Sequence, residues 1–179
     1  MNALDEMKTE FGFSDEEIEF ALNRAKGILI GFAMEYRAMN FLKRMNFENI
    51  KYVDMPTHDL EAEKDGKKYF IEVKASKKSP TKEYSPYKVA MIAMLDGTHL
   101  TLLMKPSPML MVTEDILSEP KKVLFETFKS ALYENYEALQ KILNDNRNFE
   151  ILRSYNKVFR LFISKLPNEA LLILKPILS

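Results

Sequence analysis

Residues 58–74 read HDLEAEKDGKKYFIEVK, with an Asp-Gly pair at positions 65 and 66 between two runs that contain apolar residues. Asp-Gly is a preferred two-residue hairpin turn, because both central residues of a type I′ turn need a positive φ. Counting back from this turn, Asp59 lies opposite Glu72. Opposed residues share a face of the sheet, with Cβ atoms about 4.5–5.5 Å apart. Lys74 returns to the same face two residues beyond Glu72.

The hairpin has an acidic face and an apolar face. Asp59, Glu61 and Glu63 alternate with Leu60 and Ala62 on the first strand, and the second strand adds Tyr69, Ile71 and Val73 to the apolar side. Such alternation is typical of a strand that is buried on one face only. We therefore expect the carboxylates to point away from the packed layer, towards a cleft or solvent.

The segments around the hairpin predict an α/β fold. Ser14 and Glu17 form a capping-box pattern that opens a helix from Asp15 to about Lys26, and a second helical pattern runs from Ile28 to Asn46. Whether Gly27 divides these helices or lies within one is left open by the pattern. Ile50 to Val53 reads as a short strand before the hairpin.

After the hairpin, Ser85-Pro86 is a typical N-cap with proline at the first helical position. The helix is expected to continue through Met94, and His99 to Met104 reads as a buried strand. This order predicts a βαβ crossover, which joins parallel strands.

From Thr113 onward the pattern is helical. One amphipathic helix is expected from Val123 to Leu143 and another from Leu152 to Leu166, joined by a link at residues 144–148. We therefore expect an α/β core at residues 1–112, with N-terminal helices, and a helical C-terminal extension at residues 113–179. The extension would serve packing, dimerisation or substrate contact, and its apolar character is compatible with a homodimer.

Composition limits the chemistry. The chain has 179 residues, 46% of them hydrophobic, and no cysteine. Disulfides, iron-sulfur clusters and thiolate zinc sites are therefore excluded, and a metal would be held by oxygen or by the two histidines. Oxygen ligands favour Mg²⁺ or Mn²⁺. The absence of a long apolar run and the acidic N-terminus predict a cytoplasmic protein with no membrane contact.

Charge is unevenly distributed along a chain whose formal net charge is zero. Residues 64–88 hold eight lysines and three acids, a local net of 8 − 3 = +5. A mixed basic and aromatic segment of this kind suits phosphate contact and base stacking, although an ordinary solvated surface explains it as well. The candidate nucleic-acid-binding residues are Lys77, Lys78, Lys82, Tyr84, Tyr87 and Lys88.

The paired carboxylates are a natural magnesium site. Mg²⁺ takes one or two carboxylates and keeps several waters, so Asp59 and Glu72 suit it, with the carbonyl of Val73 as a third ligand. A metal held there can polarise a phosphoryl oxygen and acidify a bound water. Lys74 could orient that water or stabilise the charge that develops in the transition state.

Asp59 followed by Glu72-Val73-Lys74 inside an apolar strand resembles the PD-(D/E)xK nuclease superfamily, which has the restriction-endonuclease-like fold. The resemblance covers roughly residues 27–105. It implies a mixed central sheet flanked by helices, and cleavage of DNA, less often RNA, with one or two Mg²⁺ ions. By resemblance Asp59 and Glu72 are metal ligands and Lys74 is the catalytic lysine.

The resemblance extends to the preceding helix. Gly31-Phe32-Ala33-Met34-Glu35 matches a glycine-to-glutamate pattern of the superfamily, which implies that Glu35 is a further ligand, directly or through water. The alternative is a surface helix glutamate paired with Arg37 or Lys43. The chain departs from the pattern before Asp59, where His58 stands and the nearest proline is Pro56. His58 is a candidate for approaching the scissile phosphate or a metal, with a surface or supporting role as the alternative.

These features together predict a metal-dependent nuclease that acts on nucleic acid, with DNA preferred. One alternative is a catalytically silent module of the same fold that binds nucleic acid or a protein partner. Another is an interaction protein whose C-terminal helices form the working surface.

Overall fold

The computed structural model describes residues 1–75 and 84–179, which form an α/β fold around a five-stranded mixed sheet. The strands follow one another across the sheet in chain order. Only β3 and β4 are parallel, and the other neighbours are antiparallel. The strands are β1 (Glu48–Met55), β2 (His58–Lys64), β3 (Lys67–Lys74), β4 (Thr98–Leu103) and β5 (Met109–Val112).

The β2–β3 hairpin has the predicted register. Lys64 pairs with Lys67 and Leu60 pairs with Ile71. Asp65 and Gly66 have φ angles of 52° and 75°, as a type I′ turn requires. The register prediction is therefore confirmed, and it sets the face on which every side chain of the hairpin lies.

Two helices precede the sheet: α1 (Ala3–Phe11), which was not among the expected elements, and α2 (Asp15–Arg44). Gly27 lies inside α2, so the two helical patterns belong to one helix of 30 residues. The predicted capping box is present, because the Glu17 N–H donates to Ser14 Oγ at 3.2 Å and the Ser14 N–H donates to Glu17 Oε2 at 2.8 Å.

The predicted crossover is confirmed, since α3 (Pro86–Ala93) leads to β4, which is parallel to β3. Ser85 caps α3 by accepting a hydrogen bond from the Lys88 N–H at 3.2 Å. Gly97, at φ 154°, lies where the chain returns to the sheet. A Cβ at this position would come within 2.7 Å of the Lys68 carbonyl oxygen and 2.8 Å of the Phe70 ring.

The remainder of the chain is helical after β5, a four-residue strand that was not among the expected elements. The expected helix from Val123 to Leu143 is interrupted at Glu134, which has a positive φ of 56°. The second expected helix is likewise divided, and its first part begins within the expected link. The helices are α4 (Thr113–Ile116), α5 (Glu119–Leu132), α6 (Tyr136–Asn144), α7 (Asn146–Ser154), α8 (Asn156–Leu161), a 3₁₀ turn (Ile163–Lys165) and α9 (Asn168–Leu178).

One hydrophobic cluster joins α2 to the sheet. Met34, Ala38 and Leu42 of α2 are buried with Leu60 of β2 and Ile71 of β3, and β4 adds Leu100 and Leu102. Each large apolar side chain buried in this way contributes about 1.5–3 kcal/mol. The apolar face of the hairpin is therefore the face that α2 covers.

A second hydrophobic cluster joins α3 to the C-terminal helices. Val89 and Ala93 of α3 are buried with Phe128, Phe159 and Leu174. The rings of Phe128 and Phe159 stack with centroids 4.7 Å apart. Within the described part of the chain, no helix combines the length and the apolarity that a membrane crossing requires.

Candidate functional site

Asp59 is fixed to the neighbouring strand beside Glu72. It lies near the start of β2 and is half-buried, and its Oδ2 accepts a hydrogen bond from the Val73 N–H at 2.8 Å. A hydrogen bond from a backbone N–H to an ionised carboxylate is stronger than one to a neutral acceptor, so it fixes the orientation of the Asp59 side chain. The two acids that the hairpin register predicted to be opposed therefore meet at the same part of the sheet.

Glu72 is buried, with 7% of its surface exposed. Its Oε1 contacts two ammonium groups: Lys74 Nζ lies 3.1 Å away, and Lys88 Nζ, from α3, is in direct contact. Its Oε2 is buried and has no hydrogen-bond partner within residues 1–75 and 84–179. A buried acceptor without a partner is costly, by about 1–3 kcal/mol and more when charged, so this oxygen suits a further ligand.

The burial of Glu72 corrects one expectation. The acidic face was expected to open towards a cleft or solvent, but α3 and Tyr84 lie over it at Glu72. Both lysines also lie over the ring of Tyr84, with Lys74 Nζ at 5.6 Å and Lys88 Nζ at 5.5 Å from its centroid. The helix that crosses from β3 to β4 therefore covers the acidic face at Glu72, while Asp59 and Glu61 stay partly exposed and Glu63 is exposed.

Glu35 of α2 approaches the site from the β1 side. Its carboxylate accepts a hydrogen bond from the Tyr52 hydroxyl of β1. Burial, the hydrogen bond to Glu35 and the charges of Glu35 and Asp59 raise the pKa of Tyr52 to about 12. The charges of Glu35 and Asp59 both act on the Tyr52 hydroxyl. Glu35, on the helix, therefore lies near Asp59, on the hairpin.

The acids act on one another electrostatically. Burial raises the pKa of Asp59 above its usual range, and the charges of Glu35 and Glu72 raise it further, while the Val73 N–H and the charge of Lys74 lower it. Among the described residues, no three carboxylate or imidazole groups lie close enough to hold a metal ion by themselves. A metal here would need Asp59, Glu72, a backbone carbonyl such as that of Val73, and water.

Tyr84 is part of the buried wall of the site. Its surface is fully buried, and its hydroxyl hydrogen-bonds Thr101 Oγ1 at 2.6 Å. Burial, followed by the charge of Glu72, raises its pKa. A ring in this position cannot stack on a base, so the predicted stacking role of Tyr84 does not agree with the structure. The sequence suggested exposure because Tyr84 lies next to a polar segment.

The other candidate nucleic-acid-binding residues differ in how accessible they are to a ligand. Lys88 points into the site, where it contacts Glu72, and its side chain is only 19% exposed. Tyr87 is 42% exposed on the same helix and is accessible to a ligand. Lys77, Lys78 and Lys82 lie outside the described residues.

His58 is buried within the hairpin layer. Its Nδ1 bonds to Thr57 Oγ1 at 2.7 Å and its Nε2 bonds to Glu61 Oε1 at 3.2 Å, while its ring packs edge-on against Phe70. Both ring nitrogens are therefore engaged in supporting contacts. The candidate role of His58 at a phosphate or a metal would require these contacts to break.

His99 is buried beside the site, as the expected buried strand from His99 to Met104 implied. Its Nε2 donates to the Thr57 carbonyl oxygen at 2.6 Å, and its Nδ1 bonds to Thr113 Oγ1. Burial lowers its pKa to about 4. Thr113 Oγ1 bonds to Thr101 Oγ1 at 2.8 Å, so hydrogen bonds connect His99 to Tyr84.

Three residues of the site were missed in the sequence: Tyr52, Thr101, and Lys88 as a partner of Glu72. Thr101 pairs with Glu72 in the β3–β4 register. Its place as a polar residue within the otherwise apolar sequence of β4 could have identified it. The chain presents two carboxylates, a third acid nearby and two ammonium groups, which suit a divalent cation and a phosphate.

Comparison with protein-family models, curated proteins and solved structures finds no match for this chain.

Proposed function

We propose that this protein is a metal-dependent nuclease of the PD-(D/E)xK type, with a restriction-endonuclease-like core, that hydrolyses phosphodiester bonds of nucleic acid, with DNA as the expected substrate. One observation carries the proposal. Asp59 and Glu72 meet on neighbouring strands, joined by the bond from the Val73 N–H to Asp59, and Lys74 contacts Glu72. The order of α2, hairpin, α3 and parallel β4 agrees with the core that the superfamily resemblance implies.

The residues fit a hard divalent cation. Asp59 and Glu72 supply carboxylate oxygens, Val73 a carbonyl, and Glu35 a further acid within electrostatic range. The buried Oε2 of Glu72, which has no partner among the described residues, is an observation that a bound cation would explain. Mg²⁺ or Mn²⁺ bound there would supply polarisation of a phosphoryl oxygen and a more acidic water.

The lysines have distinct parts in the proposed reaction. Lys74 Nζ can donate a hydrogen bond to the attacking water, and its charge can stabilise the negative charge that develops on phosphate oxygens. The Lys88 ammonium neutralises Glu72 while the site is without a cation, and it would then contact a substrate phosphate. Asp59 must be ionised to bind a cation, although burial and its neighbours raise its pKa.

A binding module without catalysis is the second candidate. The observation in its favour is that two ammonium groups already contact Glu72 Oε1. In a silent domain these ion pairs would replace a metal permanently, and the surface would bind nucleic acid or a protein partner. The two candidates differ in whether Mg²⁺ or Mn²⁺ binds with useful affinity.

Metal binding and cleavage should be measured together. We expect calorimetry to detect binding of Mn²⁺ and Mg²⁺, and we expect cleavage of at least one substrate among supercoiled, linear, single-stranded and branched DNA, with RNA assayed in parallel. Asp59→Ala and Glu72→Ala should abolish both. Glu61→Ala is the matched control, because Glu61 shares the acidic face but contacts His58 and Lys68. Unchanged cleavage by folded Glu72→Ala would exclude the nuclease assignment, and metal-independent nucleic-acid binding would favour the silent module.

A further inference from the structure

The face of α2 that is turned away from the sheet carries an apolar stripe. Its residues alternate at spacings of four and three, the repeat by which a helix packs along a partner helix. Phe32 and Tyr36, at the C-terminal end of the stripe, are 57% and 68% exposed. The stripe consists of Ile18, Leu22, Ala25, Leu29, Phe32 and Tyr36. Ile18 is buried and Leu22 and Ala25 are partly buried, whereas Leu29, Phe32 and Tyr36 are exposed. Neighbouring exposed apolar side chains of this kind mark an interaction surface.

The N-terminal end of the stripe lines a cavity of about 580 Å³ between α1 and α2. Met7 of α1 and Phe13 face Leu22 and Leu29 across this space, and its lining is almost entirely apolar. Among the described residues, ten of the twenty exposed large apolar side chains lie within residues 1–36. The chain therefore presents an apolar cavity and, further along the same helix, two protruding aromatic rings.

The two ends of this surface have opposite charge. Residues 1–19 hold seven acids and one lysine, a net of 1 − 7 = −6. Residues 35–44 hold Arg37, Lys43 and Arg44 against Glu35, a net of 3 − 1 = +2. Two copies packed in parallel would place like charges side by side. Antiparallel packing places the acidic end of each copy beside the basic end of the other, which is the favourable arrangement.

We propose that this face binds a second copy of the chain. The two α2 helices run antiparallel, and Phe32 and Tyr36 of each copy enter the apolar cavity between α1 and α2 of the other. Such a pair has two-fold symmetry, so each copy supplies both halves of the contact. With 30 residues, α2 is about 45 Å long, which is enough for both contacts to lie along it.

The available surface suits a stable pair. Four exposed aromatic rings lie on this surface: Phe32 and Tyr36 of the stripe, Phe13 at the cavity, and Phe11, which stacks on Phe13. Each ring offers roughly 100 Å² of exposed surface, and the exposed Leu29 of the stripe adds to it. A standard interface buries roughly 800 Å² per partner. The inference does not depend on the proposed catalytic chemistry.

Light scattering coupled to size-exclusion chromatography tests the proposal on the full chain. We expect a mass twice that of the 20.9 kDa chain. Phe32→Glu combined with Tyr36→Glu should give a monomer with an unchanged circular dichroism spectrum, because both rings are exposed in a single copy. Leu161→Glu combined with Leu172→Glu is the matched control, since these side chains are 62% and 73% exposed elsewhere on the chain, and it should stay dimeric. A monomeric wild-type chain, or a dimeric Phe32/Tyr36 variant, would overturn the proposal.

A charge exchange tests the antiparallel arrangement. Glu19→Lys should raise the dissociation constant of the dimer severalfold, because the partner's basic end then meets a lysine. Adding Lys43→Glu and Arg44→Glu to the same chain should restore the affinity. All three side chains are exposed in one copy. A dissociation constant that Glu19→Lys leaves unchanged, or that the added substitutions do not restore, would overturn the antiparallel arrangement.

Discussion

Lys88, on α3, places its ammonium group against the carboxylate of Glu72, on β3, at the oxygen that Lys74 also contacts. A divalent cation at Glu72 would compete with this ammonium group. We therefore expect Lys88→Met to raise the affinity for Mn²⁺ about tenfold, which corresponds to about 1.4 kcal/mol. Calorimetric titration of the wild-type and variant proteins measures this. Lys68→Met is the control, because Lys68 contacts Glu61. Equal or weaker Mn²⁺ binding by Lys88→Met would contradict the competition.

Asp59 should destabilise the folded protein at neutral pH. Burial and neighbouring acids raise its pKa above the ordinary value of 3.8, so the folded state holds this proton more tightly than the unfolded chain. Its contribution to stability is therefore largest below pH 3.8 and is lost as the pH rises through the folded pKa. Asp59→Asn, which can still accept from the Val73 N–H, should unfold at a higher urea concentration than wild type at pH 7. The difference should diminish as the pH approaches 3.8, and a less stable Asp59→Asn protein at pH 7 would contradict this account.

The local geometry of the site could be predicted because it depends on short-range rules. The Asp65-Gly66 turn fixes the hairpin register, and the register alone places Asp59 beside Glu72. The alternation along β2 likewise identifies Leu60 as a core residue, which the structure buries completely. Both inferences need only the turn and the period of a strand.

The remaining features depend on how separate elements pack. The contact of Lys88 with Glu72 is set by the path of α3 across the sheet, which no local pattern specifies. The break at Glu134 is another example, because the amphipathic pattern continues through it although Glu134 takes a positive φ and Asn135 caps α6 by accepting from the Ala138 N–H. The burial of Tyr84 is a third, since its neighbours in sequence are polar while its neighbours in space are Thr101 and His99.

His99 should make the protein more stable at neutral than at mildly acidic pH. Its pKa is lowered from 6.5 to about 4 by burial, so the unfolded chain binds a proton between these values that the folded protein does not. Stability should fall as the pH drops from 6.5 to 4, by up to about 1.4 kcal/mol per pH unit from this group. His99→Gln should be less stable at pH 7, because it loses buried hydrogen bonds. Its free energy of unfolding should also change less between pH 6.5 and pH 4 than that of the wild-type protein. Urea unfolding at pH 5 and pH 7 measures both effects. An equal loss of stability between pH 7 and pH 5 in the two proteins would exclude His99 as the cause of the pH dependence.

Gly97 should be the least replaceable glycine of the fold. At φ 154° a side chain is strained, and a Cβ would collide with the Lys68 carbonyl oxygen at 2.7 Å and the Phe70 ring at 2.8 Å. We expect Gly97→Ala to lower the free energy of unfolding by about 2 kcal/mol or more, since the backbone carbonyl cannot rotate away from the new atom. Gly31→Ala is the matched control: Gly31 is helical, and its Cβ would meet nothing within 4 Å. That variant should gain up to about 1 kcal/mol from helix propensity. Urea denaturation distinguishes the two directions, and a Gly97→Ala protein as stable as wild type would show that the crossover at β4 adjusts without cost.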